Sequence, residues 1–238
     1  MNVNKASNGG VFLEIKTDEE LAEFKEHFKE ARLHMIIHII IWAIVIYAAL
    51  TFLHNDIIYI ILCLLSIIVF IIIITRKDTY KHLIVYSWIC LGCVLVCGAA
   101  IGRFITIEIL LILMIYVCTI DVFSFTRRGK NTMNAKLMSS NKWLPRLLVY
   151  GRSSKTGKPV VTKGFGDYYN YSIAFTAIYT AYGKTIGFGA IIAIILGVII
   201  NLIIINRIYK YTWYKGFPAT IGPLGLCIIL IVIISIAR

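Results

Sequence analysis

Two aspartates in this chain stand where packing alone gives them no reason to be. Seven of the twelve acidic residues crowd the N-terminal segment, and only five follow residue 33. Asp56 and Asp78 fall in short connections. Glu108 lies near the end of an apolar run, where its side chain reaches an interface. Asp121 and Asp167 instead lie inside apolar runs, where a carboxylate is costly unless it meets partners or water. Two carboxylates brought to within ~3 Å of one another cannot both ionise, so they share a proton and their apparent pKa values separate. The ionised member takes a proton from a water that attacks a peptide carbonyl, while the protonated member donates to the developing oxyanion. Those roles belong to the pair, not to either residue.

The residues around the aspartates suit that chemistry. Gly164-Phe165-Gly166-Asp167 sets two glycines beside one acid, with no side chain to bar a substrate backbone. A peptide bond in a membrane helix is shielded until the helix unwinds, and an unwound segment then needs backbone partners. The run Lys158-Pro159-Val160-Val161-Thr162-Lys163 is β-prone and supplies such partners by strand addition, with Val160 and Val161 at its centre. Farther on, Pro218-Ala219-Thr220 lies in a stretch, 216–223, with two glycines and two prolines, which frees backbone groups at the start of a helix.

These residues need a scaffold, and composition says what it is. The chain is 59% hydrophobic, with a mean hydropathy of +0.84, well above ordinary soluble domains. Seven apolar runs, at 34–53, 57–75, 82–101, 104–125, 164–182, 185–206 and 217–237, are long enough to cross ~30 Å of hydrocarbon as helices. The expected fold is an all-α membrane protein, a polytopic bundle of about seven transmembrane helices. Residues 1–33 form a polar N-terminal segment, 34–103 three N-terminal spans, and 104–238 a four-span core interrupted by the loop 127–163. The polar start leaves the first span as the insertion signal. Asp121 lies ~8 Å inside the end of the fourth span and Asp167 ~6 Å inside the start of the fifth. Those spans run in opposite directions, so both acids reach a similar depth below one surface.

The net charge of +12 is topological. With the 127–163 loop in the cytoplasm, 21 of the 24 Lys and Arg residues lie on that side, leaving Arg103, Lys184 and Arg238 opposite. That split is what the positive-inside rule requires of seven crossings with a cytoplasmic N-terminus and an outer C-terminus. It points to a lipid bilayer and away from nucleic acid as the partner, with attraction to anionic lipid as a side effect.

Residues 17–32 open with Thr17 and Glu20 in a capping box and put Leu21, Phe24 and Phe28 on one face, which reads as an amphipathic helix on the cytoplasmic surface. In the long loop, 144–151 and 158–164 flank Ser153-Ser154-Lys155-Thr156-Gly157 in the pattern of a β-hairpin. The six cysteines all lie in spans. Cys90, Cys93 and Cys97 share helical spacing without a histidine or carboxylate, so they read as helix contacts and not as metal ligands. All five histidines (27, 34, 38, 54 and 82) precede the candidate core, which excludes zinc and serine–histidine chemistry there. His34 and His38 read as interfacial. No metal or cofactor is expected, because water and two carboxylates suffice.

Taken together, Ile120-Asp121-Val122-Phe123, Gly164-Phe165-Gly166-Asp167 and Pro218-Ala219-Thr220 resemble the presenilin and signal peptide peptidase family of intramembrane aspartyl proteases, most closely its archaeal presenilin-like members. The resemblance covers about residues 104–238. It implies that Asp121 and Asp167 are the catalytic dyad, that Gly164 and Gly166 shape the cleft with Phe165 between them, and that Pro218, Ala219 and Thr220 line it opposite. It further implies transmembrane peptides as substrates, a strand beside Gly164 that pairs with them, and a cytoplasmic loop that is a site of self-cleavage in presenilins. The family usually has Tyr where Ile120 stands, Leu where Thr220 stands, and nine spans. A prepilin or preflagellin peptidase also uses Gly-x-Gly-Asp but lacks the proline motif of the last span. A proton- or cation-coupled transporter would use the paired aspartates as a relay, with Asn201 and Asn206 on its pathway.

The charge distribution generates a direct test of orientation. A cysteine introduced at Ser154 reacts with a membrane-impermeant maleimide only from the cytoplasmic face, and one at Thr185 only from the opposite face. The reverse pattern overturns the topology.

Overall fold

The computed structural model describes residues 18–53, 55–76, 82–126, 128–138, 140, 142–209 and 217–237. Helix α1 (Asp18–Phe52) runs unbroken for 35 residues, about 52 Å at 1.5 Å per residue. The amphipathic helix expected over 17–32 is therefore continuous with the first span. No Gly or Pro interrupts the chain between Phe28 and Met35, so nothing halts the helix at the start of the first span. Phe28 is buried, with its ring 6.2 Å from that of Tyr209. The expected cap Thr17 and the side chains of Leu21 and Phe24 lie outside the described residues.

Helices α2 (Asp56–Thr75), α3 (Leu83–Phe104) and α4 (Ile107–Ser124) follow. Asn55 and Thr106 cap α2 and α4 through their side chains. Arg103 ties α3 to the start of α2, donating from Nε to Asp56 at 2.7 Å while its guanidinium lies over the Tyr59 ring. A short helix, α5 (Met133–Met138), precedes the hairpin of β1 (Leu148–Arg152) and β2 (Pro159–Gly164). Helix α6 (Phe165–Tyr182), α7 (Lys184–Ile208) and α8 (Ile221–Ala237) complete the chain. Gly183 takes a φ of 85° at the α6–α7 corner, a conformation that favours glycine.

Five of these helices are long and apolar enough to cross a membrane: the Lys25–Phe52 part of α1, then α2, α3, α4 and α7. The other two expected spans correspond to α6 and α8. Helix α8 is apolar but has 17 residues. Helix α6 is less apolar because its neighbours are protein. It packs against α3, α7, α4, α8, α1 and β2, and Tyr168, Tyr171, Ser172, Ala174, Phe175, Thr176 and Ile178 are all buried. A helix encircled by others needs no lipid-facing aliphatic stripe. By contrast α2 packs chiefly on α3 and exposes Ile60, Ile61, Leu64, Leu65, Ile68 and Ile72, as a helix facing lipid would.

The core of the bundle is aromatic. Trp42 meets Tyr171 and Phe175 edge-on, both at 6.1 Å, and its indole N–H donates to Ser172 at 2.9 Å. Between α3 and α6 two glycines one turn apart allow close approach. A Cβ on Gly98 would lie 2.6 Å from Ser172 Cβ, and one on Gly102 would lie 2.7 Å from the Ile173 carbonyl. This is a small-xxx-small contact, the usual device for bringing helices together in lipid. Gly197 of α7 meets Gly222 and Pro223 in the same way. Among the cysteines, Cys90, Cys93 and Cys227 are buried and all six are free thiols; Cys97 Sγ donates to the Cys63 carbonyl across α2–α3.

The hairpin forms where the sequence predicts it, with its strands antiparallel. Leu148 pairs with Gly164 and Val149 with Lys163, but Tyr150 pairs with Val161, so Thr162 is an extra residue on β2. His34 and His38, expected at the interface, hold this hairpin to α1. His34 Nε2 bonds to the Arg152 carbonyl at 2.9 Å. His38, 2% exposed, bonds to Thr162 Oγ1 at 3.2 Å, and Thr162 donates on to the Val149 carbonyl. The opposing strand is tied to α3 by the Tyr150 amide, which donates to Ser87 Oγ.

The α3–α6 contact sets the prediction for this architecture. Gly98→Leu drives a side chain into α6 and destabilises the protein by about 1–3 kcal/mol, whereas Gly92→Ala, which meets nothing within 4 Å, does not. Unfolding midpoints of the two variants in detergent check this; equal midpoints overturn the close-contact account.

Candidate active site

Asp121 lies in the last turn of α4 and Asp167 in the first turn of α6. The two helices pack together, so both carboxylates stand at one end of the bundle, close enough to feel each other's charge. Their helical settings differ. Asp167 sits at a helix N-terminus, where exposed amides and the helix dipole favour negative charge, while Asp121 sits at a C-terminus, where they oppose it. Asp121 is compensated from outside its own helix. Thr220 donates to Asp121 Oδ2 twice, from its hydroxyl at 2.7 Å and from its backbone amide at 3.2 Å. Hydrogen bonds to a charged group are among the stronger ones.

Thr220 is held in place by the bend before α8. The adjoining Ala219 carbonyl accepts from Tyr171 Oη at 3.1 Å and from Asn201 Nδ2 at 2.8 Å. Cys118, one turn before Asp121, donates weakly to the Thr220 carbonyl. Three helices therefore fix the segment that addresses Asp121.

Lys163 completes the site. It is 9% exposed, donates from Nζ to Tyr171 Oη at 2.5 Å, and lies within electrostatic reach of both Asp167 and Asp121. Burial pushes its ammonium below the usual lysine range, against the opposing pull of the two carboxylates. The bulge at Thr162 is what aims it. With one residue added, strict alternation fails, and Thr162 and Lys163 are both buried: Thr162 bonds to His38 of α1, Lys163 to Tyr171 of α6. Re-aiming a side chain is a common use of a bulge beside a functional site.

The remaining residues singled out by sequence divide in two. Gly166 is exposed and a Cβ there would meet nothing within 4 Å, while at Gly164 it would lie 3.7 Å from Asp167 Oδ2. Pro218 and Ala219 are half-buried and Thr220 is buried. Val161 is half-buried on β2, a strand that pairs with β1 alone among the described residues, so its second edge keeps unpaired backbone groups. Phe165 and Val160, in contrast, belong to the core. Phe165 is 4% exposed and packs edge-on against Phe70, and Val160 is buried, so neither side chain lines an open cleft.

Sequence reasoning missed Lys163 and Tyr171. Lys163 was counted with the topological charges, although its position immediately before Gly164 was a signal. Tyr171 lies one helical turn after Asp167 and so on the same face. Among the described residues no three His, Cys, Asp or Glu side chains come together.

The anchoring of Ala219 is testable by itself. Asn201→Leu removes one of its two donors and lowers stability by about 0.6–1.7 kcal/mol, read as a lower unfolding midpoint in detergent. An unchanged midpoint means that Tyr171 alone holds the segment. In comparisons with known proteins, no family model, no curated protein and no solved structure matches the chain.

Proposed function

We propose that this chain is an intramembrane aspartyl endopeptidase that hydrolyses peptide bonds within or near transmembrane helices, with Asp121 and Asp167 as its dyad. One observation carries the reading: Asp121 at the end of α4 and Asp167 at the start of α6, two helices packed together, stand at one end of an apolar bundle, and Thr220 of the proline motif donates to one of them. The resemblance to the presenilin and signal peptide peptidase family rests on the same three segments.

On this reading α6 and α8 are the fifth and seventh of seven crossings, and the hairpin and N-terminus are cytoplasmic. A substrate helix unwinds at the cytoplasmic end of the bundle and adds to the free edge of β2. Gly166 leaves room for its backbone beside Asp167. The ionised aspartate takes a proton from water as that water attacks the scissile carbonyl, and the other aspartate protonates the carbonyl oxygen. By analogy with presenilin, substrates present their N-termini on the outer side.

A second reading, an ion-coupled transporter, rests on the two aspartates standing at one end of the bundle, since paired intramembrane carboxylates also serve as ion relays.

The two are separated by cleavage of a single-span peptide in liposomes by wild type, Asp121→Asn and Asp167→Asn. Each change keeps shape and removes the titratable carboxyl. Wild type cuts, and each variant loses at least about 10³-fold in rate while remaining folded. Cutting that survives either change removes the dyad assignment. A wild type that leaves the peptide intact but carries ion flux abolished by the same changes establishes the transporter.

A further inference from the structure

We propose that Lys163 is the positioning residue of this site: its ammonium is the counter-cation that keeps the aspartate pair in its one-proton state. The inference rests on the peptidase reading above and adds to it a residue from outside the three motifs.

The argument begins with what faces the pair. From α4 the titratable neighbours are Asp121 and Cys118, from α6 Asp167, Tyr168 and Tyr171, and from α8 Cys227. None of these can carry positive charge. On α1 the group nearest β2 is His38, occupied by Thr162, and on β1 the Tyr150 hydroxyl donates to the Pro145 carbonyl. His34 and Arg152 meet at the far end of the hairpin. Among the described residues Lys163, bonded to Tyr171 beside the pair, is thus the one cation found within electrostatic reach of both carboxylates.

The charge count of this cluster then favours one state. With Lys163 charged, two ionised aspartates leave it at −1, two protonated aspartates leave it at +1, and a single shared proton leaves it neutral. Lys163 and Tyr171 are buried and both aspartates are half-buried, and a site partly shielded from water favours the neutral sum. That sum contains one carboxylate to act as base and one carboxylic acid to donate, which is the pair that hydrolysis requires. Without the ammonium, the neutral sum has two protonated aspartates and no base.

Lys163 is also fixed where it must be. It is carried by a bulged strand, bonded to Tyr171 Oη, and through that hydroxyl linked to the Ala219 carbonyl beside Thr220, which serves Asp121. A mobile surface lysine would not hold a constant distance from either acid.

The experiment is the pH–rate profile of peptide cleavage for wild type, Lys163→Met and Lys163→Arg. Loss of the ammonium moves the profile to higher pH by roughly 1–3 units, the range of shift produced by a nearby opposite charge, and Lys163→Arg keeps it near the wild-type position. A lower rate at every pH with an unmoved profile shows that Lys163 only supports the fold and overturns the proposal. If Lys163→Met does not fold, Lys163→Gln carries the same expectation.

A second measurement needs no turnover. In protein labelled with carbonyl-¹³C aspartate, the infrared band of protonated aspartic acid, assigned with Asp121→Asn and Asp167→Asn, persists to higher pH in Lys163→Met than in wild type. Equal titrations overturn the proposal. A moved band in a protein that cuts nothing retains the charge link while rejecting the peptidase reading.

Discussion

Charge partly shielded from water must be answered by charge or by donors, and much of this bundle can be understood as the means of doing so for the half-buried Asp121 and Asp167. Asp167 draws on the N-terminus of its own helix. Asp121 cannot, because it ends a helix, and its donors come from a segment 99 positions later in the chain. That segment is a bend and not a helical turn, which is why prolines and glycines flank it. A regular helix would commit the Thr220 amide to its own backbone, whereas the bend leaves it free for the carboxylate. The Ala219 carbonyl, freed by the same bend, is taken by Tyr171 and Asn201.

The placement of α6 follows from the same demand. A helix that carries an aspartate, presents Tyr171 to a lysine and accepts contacts from six other elements cannot also face lipid. Its surface is therefore built from small, hydroxyl and aromatic residues, and its closest neighbour approaches over glycines. The helices that surround it carry the aliphatic residues that lipid requires. Helix α6 is thus less apolar than α2, α3, α4, α7 and α8, and a criterion based on hydropathy alone passes over it.

What could be read from sequence was set by how local each signal is. Apolar runs marked the helices, because chain length and side-chain polarity decide membrane insertion, and the hairpin was marked by β-prone runs around a turn. That Asp121 and Asp167 stand at one end of the bundle was legible because carboxylates inside apolar runs are rare and each lies near the end of its run. The straight continuation of α1 was less visible, since an amphipathic pattern does not say whether a helix bends at a surface. The partners of His34 and His38 were not visible because Arg152 and Thr162 lie more than 100 positions away. Lys163 was hidden for another reason: its direction is set by one extra residue in β2, and a bulge changes which face a side chain takes without leaving a periodic trace. Phe165 was placed at the cleft from its neighbours in sequence, while helix direction carries its side chain inward.

The fixed lysine also bears on which chemistry the site suits. In peptide hydrolysis the base gains a proton from water as the acid gives one to the carbonyl oxygen, so the aspartate pair holds one proton throughout that step. A stationary cation matches a load that does not change. A proton relay must empty and refill the pair in every cycle, and its counter-cation must then move away or give up its own proton. Lys163 is poorly suited to moving. Its strand is bonded to α1 through His38 and paired with β1, and its ammonium is bonded to a buried tyrosine that also holds the bend before α8. Displacing it would disturb the donors to Asp121 at the same time. This mechanical coupling favours a site whose charge stays constant while its substrate changes.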